Sequence, residues 1–283
     1  MKAAALDHLV MPTADLAVAR DRLSRIGFTV APEGVHPFGT HNCCVYFQGG
    51  TFLEPLAVRD AAIVGDSAAR GNVFVARDGA YRALRGDEGL SAIVLATPYA
   101  AGDDRQLNAL HLSAGEMLTF SRPFIDAAGT GGTATFRLAF GAAPAVSDGF
   151  FFTCERVGVP AVDRSALERH DNGVTGIAAV TLAGDAGAGL LGAMTRFLGT
   201  TGDLDLGATR VRHLSPAALE STYGIIPAPD DPPLVAVDLR IASLEGLSAL
   251  LRDRAVESRR IGARLVLPPA PGQGVHFAFM EAA

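Results

Sequence analysis

The sequence predicts an α+β fold built from repeated βαβββ units, because one order of elements recurs along the 283 residues. A strand pattern at 5–11 precedes a helix pattern at 15–27, and further strand patterns follow it. The opening strand pattern returns at 90–97, 175–183 and 232–241. Recurrence at intervals of about 50 to 85 residues indicates duplicated supersecondary units. We therefore expect four such units, forming open, barrel-like sheets with helices on their outer face.

The first two cycles carry the clearest signals. Thr13 stands near the start of the first helix and Gly27 just past its end, and apolar residues between them recur at helical spacing: Leu16, Ala19, Leu23 and Ile26. The segments FTVAP, HNCCVYFQ and TFLEPLAV then predict three strands. In the second cycle we expect a helix at 103–114, followed by strands in EMLTFSRP, TATFRLAFG and GFFFTCERV.

The third and fourth cycles are less regular. We expect a helix at 187–198 with strands at 203–213, and then a strand at 232–241 with a long helix at 243–262. The first domain is predicted to span 1–160, with helix or loop at 59–89 between its two units. An irregular crossover at 157–174 leads to a second domain at 175–283, also of two units.

Composition narrows the classes of partner. The 24 Lys and Arg residues are outnumbered by 30 Asp and Glu residues, Lys2 is the sole lysine, and no segment approaches the roughly 20 apolar residues of a membrane span. The N-terminus is too weakly apolar for a secretory signal, and the three cysteines suggest no disulfide framework. We expect a cytoplasmic protein with a small-molecule substrate and with no nucleic-acid or membrane partner. The sequence leaves the oligomeric state open, and a homodimer is compatible with it.

Two polar residues lie on predicted strands among apolar neighbours, and both belong to the first unit. Alternation in a strand gives them these companions on one face: Leu6 and Val10 beside His8, and Phe52 and Leu56 beside Glu54. A carboxylate in such surroundings must be paired, protonated or bound to a metal. Histidine with carboxylate suits Zn, Mn, Fe or Ni, whereas a hydrogen-bonded pair of His8 and Glu54 is the alternative.

Four segments together resemble the glyoxalase-like branch of the vicinal oxygen chelate superfamily: LDHLV, GVHPFGTHNCCVYF, FLEPLA and ERHDNG. The resemblance implies that two units curve into a cup around a small-molecule site. It also implies divalent metal ligands on the first and last strands of each unit, which fall on His8, Glu54 and Glu155. The fourth position falls near Ala92, which cannot bind a metal, and the second half offers a poorer set.

Further candidates surround the expected cup. Glu155 shares a strand face with Phe151 and Thr153, and it would complete the metal site or act as a catalytic base. The turn at 36–42 carries three residues that could orient a substrate or transfer protons: His36, His41 and Asn42. Arg122 could hold an anionic group of the substrate. For each of these five, an ordinary loop or surface role is the alternative.

The expected function is that of a metal-dependent enzyme acting on a small oxygen-rich substrate. A metal there would polarise a carbonyl or stabilise an oxyanion, which fits lyase, isomerase and ring-cleaving dioxygenase chemistry alike. The competing expectation is a metal-free protein that binds or sequesters a small molecule, as bleomycin-resistance relatives do. The missing ligand at Ala92 favours this second class.

Overall fold

The computed structural model describes residues 4–125, 131–158, 163–228 and 230–281, and it contains two mixed sheets. The strands of the first sheet are β1 (Ala5–Pro12), β2 (Gly34–Val35), β3 (Thr40–Asn42), β4 (Val45–Tyr46), β5 (Phe52–Val58), β6 (Ala92–Ala96), β7 (Leu118–Ile125), β8 (Gly131–Gly141) and β9 (Phe150–Val157). The helices of this half are α1 (Leu16–Ile26), α2 (Ala61–Ala69), α3 (Val73–Arg85) and α4 (Ala100–Ala109).

The strand order of the first sheet places β1, which carries His8, beside β5, which carries Glu54. It runs β2-β3-β5-β1-β6-β9-β8-β7, with β4 paired to β5. In each unit the first and last strands are parallel neighbours, β1 with β5 and β6 with β9, while β1 and β6 are antiparallel. In this register His8 lies opposite Phe52 and Val10 lies opposite Glu54. The polar pair therefore occupies the middle of the sheet.

The second half has the same architecture with one difference. Its elements are β10 (Val174–Leu182), α5 (Gly184–Leu198), β11 (Leu204–Leu206), β12 (Thr209–His213), α6 (Pro216–Tyr223), β13 (Leu234–Ile241), α7 (Leu244–Asp253), β14 (Arg259–Ile261), β15 (Arg264–Leu267) and β16 (His276–Glu281). The strand order is β11-β12-β10-β13-β16-β15-β14. The third cycle is thus βαββ, one strand short of the expected βαβββ, and α6 follows its last strand, β12.

The long helix predicted at 243–262 ends at Asp253. Ala255 adopts a positive φ of 50°, the Val256 amide donates to the Leu251 carbonyl, and the Ala255 amide donates to the Arg252 carbonyl. These are the hydrogen bonds of a Schellman motif, and buried Val256 against buried Leu251 supplies its apolar contact. The segment at 59–89, predicted as helix or loop, forms α2 and α3.

The outer faces of the two sheets share one hydrophobic core with the helices between them. A single cluster contains residues of both sheets, among them Leu9, Ile93 and Phe151 from the first and Val180, Val237 and Phe277 from the second. A separate cluster lines the inner face of the first sheet and includes Phe74 of α3, which covers that face. No helix in the described parts of the chain is long and apolar enough to span a membrane.

We predict that Gly272→Ala destabilises the contact between the two halves. Gly272 has a φ of +79°, and an added Cβ would lie 2.5 Å from Cα of Ala19 in α1, where only backbone movement makes room. We expect the free energy of unfolding to fall by about 3 kcal/mol in urea titrations.

Gly262→Ala is the matched control. Gly262 also has a positive φ, +54°, but an added Cβ there would meet no atom within 4 Å. Its cost is expected near 1 kcal/mol, from backbone strain alone. Equal losses in the two variants would contradict the packing explanation.

Candidate functional site

The inner face of the first sheet and α3 enclose a pocket whose walls are largely aromatic. Six of the chain's 15 phenylalanines line it: Phe38, Phe52, Phe74, Phe120, Phe136 and Phe152. The empty space between the walls, with the open mouth included, is about 470 Å³. Apolar walls with a few polar groups are typical of sites for small molecules.

The polar groups of the pocket include most of the predicted site residues. They are His8, His36, Asn42, Glu54, Arg122 and Arg156. The sheet therefore brings together five of the seven residues that sequence reasoning selected. It adds Arg156, which follows Glu155 on β9 and points to the opposite face.

His8 and Glu54 form a buried pair at the floor of the pocket. Nε2 of His8 lies 3.2 Å from a carboxylate oxygen of Glu54, and the other oxygen accepts a 2.6 Å hydrogen bond from the Asn42 amide. His8 is 6% exposed and Glu54 is 5% exposed. The His8 ring also stacks on Phe52 with ring centres 4.4 Å apart. A direct contact of His8 with Glu54 is common to both expectations, a mutual pair and two ligands of one metal ion.

Asp7 is a residue of this buried cluster that sequence reasoning missed. Its carboxylate lies 2.5 Å from Nδ1 of His8 and accepts a 2.6 Å hydrogen bond from Arg156. Neighbouring strand residues normally face opposite sides, but a β-bulge interrupts the pairing of β1 with β6 between Leu6 and His8. The bulge also puts Leu6 in the outer core, so Leu6 does not share the His8 face as predicted. A bulge leaves no regular sequence signal.

Charge and hydrogen bonding fix the protonation of this group. Burial alone would lower the pKa of His8, but the Asp7 and Glu54 carboxylates raise it above its ordinary value. Burial would raise the pKa of Glu54, but the charge and hydrogen bond of His8, with His36 and Asn42, lower it to about 2. Both carboxylates therefore favour the imidazolium form of His8 at the floor of the pocket.

His36 is a second, neutral histidine beside the pair. Its Nδ1 lies 2.9 Å from the Thr40 hydroxyl, and its Nε2 lies 3.7 Å from Glu54. Burial lowers the pKa of His36 to about 4, against the opposing effect of the Glu54 charge. The turn that holds it requires Gly39, where φ is +91° and an added Cβ would lie 2.8 Å from the Asp60 carbonyl oxygen.

Glu155 and His41 do not reach the pocket. Glu155 lies on the opposite face of β9, where its carboxylate accepts from the Ala100 amide at the start of α4 and pairs with Arg137 at 3.3 Å. Its role there is to cap a helix, because a carboxylate suits a helix N-terminus. His41 points away from the cup and bonds to Glu33 at 2.8 Å.

The predicted metal site is therefore not formed as a set of three ligands. Among the residues that the structure describes, no group of three or more His, Cys, Asp or Glu side chains is arranged to hold a metal ion. On the second unit, Val94 lies opposite His8, and its neighbour on β9 is Phe152. Neither residue carries a donor atom, whereas catalytic metal sites usually take three protein ligands. His8 and Glu54 alone do not fit one.

We predict that His36 makes stability depend on pH between about 6.5 and 4. Over this range an unfolded histidine takes up a proton while the buried ring, with its pKa lowered to about 4, does not, so the free energy of unfolding falls as pH falls. The loss can reach about 3 kcal/mol at pH 4.

His36→Gln should flatten the pH dependence measured by urea unfolding at half-unit steps. His111→Asn is the control, because His111 is exposed and its φ of 54° is one that asparagine adopts readily. A His36→Gln slope equal to that of the parent protein would show that His36 is protonated in the fold.

Comparisons with solved structures support this fold over nearly the whole chain. A hypothetical protein from Staphylococcus aureus aligns with a TM-score of 0.63 at 13% identity, covering 99% of this chain and 100% of that one. A triple mutant of 4-hydroxymandelate synthase from Streptomyces coelicolor aligns with a TM-score of 0.59 at 12% identity, covering 99% and 93%. A catechol 2,3-dioxygenase aligns with a TM-score of 0.51 at 11% identity, covering 99% and 89%. At these identities the likeness concerns the fold.

A comparison with curated proteins finds no match. A family model described as a glyoxalase-like domain matches residues 6–196, which include the whole first sheet, β10 and most of α5. Because this match covers more than half of the chain, the protein belongs to the glyoxalase-like domain family, within the vicinal oxygen chelate superfamily.

Proposed function

We propose that this protein is an enzyme that moves protons on a small oxygen-bearing molecule held in the aromatic pocket, with His8 as the acid and Glu54 as the base. The observation that carries the proposal is the chain of contacts from Asp7 through His8 to Glu54 at the pocket floor. Histidine and carboxylate side chains are the groups most often used for such transfers.

The two roles follow from the environment of each group. The His8 imidazolium holds a proton next to the pocket, and Asp7 fixes its orientation through Nδ1. When a substrate oxygen takes the Nε2 proton of His8, Glu54 loses the neighbouring positive charge that lowers its pKa. The Glu54 carboxylate then becomes a stronger base for a proton on the adjacent carbon.

Each proton in this transfer has a donor and an acceptor within the site. The C–H bond breaks, its proton goes to Glu54, the carbonyl oxygen receives the His8 proton, and an enol results. Returning a proton to a different carbon isomerises the molecule, and loss of a neighbouring group makes the reaction a lyase step. The proposal therefore favours isomerase or lyase chemistry over ring cleavage by dioxygen.

A divalent ion on His8 and Glu54 is the competing form of the proposal. It is favoured by Asp7, because a carboxylate on the far nitrogen of a metal-bound histidine is a common arrangement. It is disfavoured by the donor-free side chains of the second unit at Val94 and Phe152. The two forms predict different effects of a chelator: proton exchange is lost if an ion is required and persists if it is not.

We predict that His8→Gln and Glu54→Gln each slow proton exchange by at least a hundredfold, the range typical of a lost acid or base. The assay is deuterium uptake from D₂O at the carbon next to the carboxyl or carbonyl group of mandelate, pyruvate and phenylpyruvate, measured by proton NMR. His41→Gln is the matched control, since His41 lies outside the pocket. Full activity in both pocket variants would contradict the roles assigned to them.

We predict that exchange by the parent protein persists after EDTA treatment and is unchanged by added Zn²⁺, Mn²⁺, Fe²⁺ or Ni²⁺. Because His8 carries its own proton, the proposed chemistry needs no ion. Loss of exchange with EDTA and its return with one ion would support the metal-dependent form instead. Saturable binding of the three acids without any exchange would indicate a binding protein.

A further inference from the structure

Arg122 is the cation of the pocket that no described carboxylate contacts. The Asp7 carboxylate lies 2.5 Å from the His8 ring and 2.6 Å from Arg156, and the Glu54 carboxylate lies 3.2 Å from the His8 ring. Both carboxylates at the pocket floor therefore have partners other than Arg122.

Arg122 faces the pocket without an anionic partner among the described residues. Its guanidinium lies over the Phe136 ring, 5.5 Å from the ring centre. One of its nitrogens fills the space that a side chain on Gly34 would occupy, because a Cβ there would lie 2.5 Å from it. A guanidinium presents a planar fork of donors that matches a carboxylate. The carboxylate of a bound molecule would therefore find a matching partner in Arg122.

The rings next to Arg122 favour a flat molecule. Phe120 and Phe136 are stacked, with ring centres 5.1 Å apart and planes 20° apart, and Phe120 meets His36 and Phe38 edge to face. Such a wall offers both faces and edges of aromatic rings to a ligand, which suits another aromatic ring better than a flexible chain.

We infer that the pocket takes a planar aromatic molecule with a single negative charge, whose carboxylate pairs with Arg122 while its ring lies against Phe120 and Phe136. The molecule is the one on which His8 and Glu54 act, so this assignment of substrate class rests on the proposed function. Its charge and shape follow from Arg122 and the aromatic wall.

Calorimetric titration at pH 7 with four probes tests the assignment. Benzoate is the planar monoanion, benzamide its neutral counterpart, cyclohexanecarboxylate its non-planar counterpart and phthalate the dianion. We expect benzoate to bind at least tenfold more tightly than each of the others. Benzoate binding no tighter than benzamide or cyclohexanecarboxylate, or absent altogether, would overturn the assignment.

Substitutions at Arg122 and Phe136 test the carboxylate contact and the ring contact separately. Arg122→Gln should weaken benzoate ten- to hundredfold and leave benzamide unchanged, and Arg122→Lys should recover part of the loss. Phe136→Leu should reduce the preference for benzoate over cyclohexanecarboxylate. Arg137→Gln is the matched control, because Arg137 lies on the same strand as Phe136 but pairs with Glu155 outside the cup. An Arg122→Gln protein that melts like the parent and binds benzoate equally well would refute the role of Arg122.

Glu54→Gln separates this assignment from the proposed function. This substitution removes one negative charge, so the affinity for benzoate should stay equal or rise. Proton exchange should slow by at least a hundredfold. Benzoate selectivity without exchange on any acid would refute only the proposed chemistry. Exchange without selectivity for a planar monoanion would refute only the substrate class.

Discussion

The contact of the buried His8 ring with two carboxylates is the constraint on which the site depends. Asp7 and Glu54 both lie against the ring and favour its charged form, and removing one partner of a buried pair typically costs about 3–5 kcal/mol. The rest of the pocket serves this arrangement. The parallel pairing of β1 with β5 brings His8 next to Glu54, and Asn42 donates a hydrogen bond to Glu54. Arg156 pairs with Asp7 and offsets its negative charge.

Sequence reasoning reached the fold class and much of the site, and its failures have local causes. The first helix was predictable because Gly27 and the apolar spacing mark its end and its buried face. Glu54 was predictable because its strand neighbours are apolar on one face. Glu155 was placed on the wrong face because β9 is buried on both sides from Phe150 to Cys154, so alternation there carries no information. Asp7 depends on a bulge that only the pairing with β6 reveals.

The inner face of the second sheet differs from that of the first in what covers it. It also carries buried polar groups, but α6 lies against it and supplies one of their partners. The Tyr223 hydroxyl bonds to Thr181 at 2.7 Å and to Arg212 at 2.7 Å, and Arg212 pairs with Asp238 at 2.8 Å. A helix thus closes the second cup with side chains, where the first cup leaves room for a ligand. Strand patterns alone could not predict this, because α6 acts through tertiary contacts.

The core shared by the two sheets limits how the protein can be divided. Ile93 and Phe151 of the first sheet belong to the same buried cluster as Val237 and Phe277 of the second. A fragment cut near the crossover would present these side chains to water, and an exposed apolar face of that kind promotes aggregation. The two halves should therefore melt as one cooperative unit, and the half with the aromatic pocket should depend for its solubility on the other half.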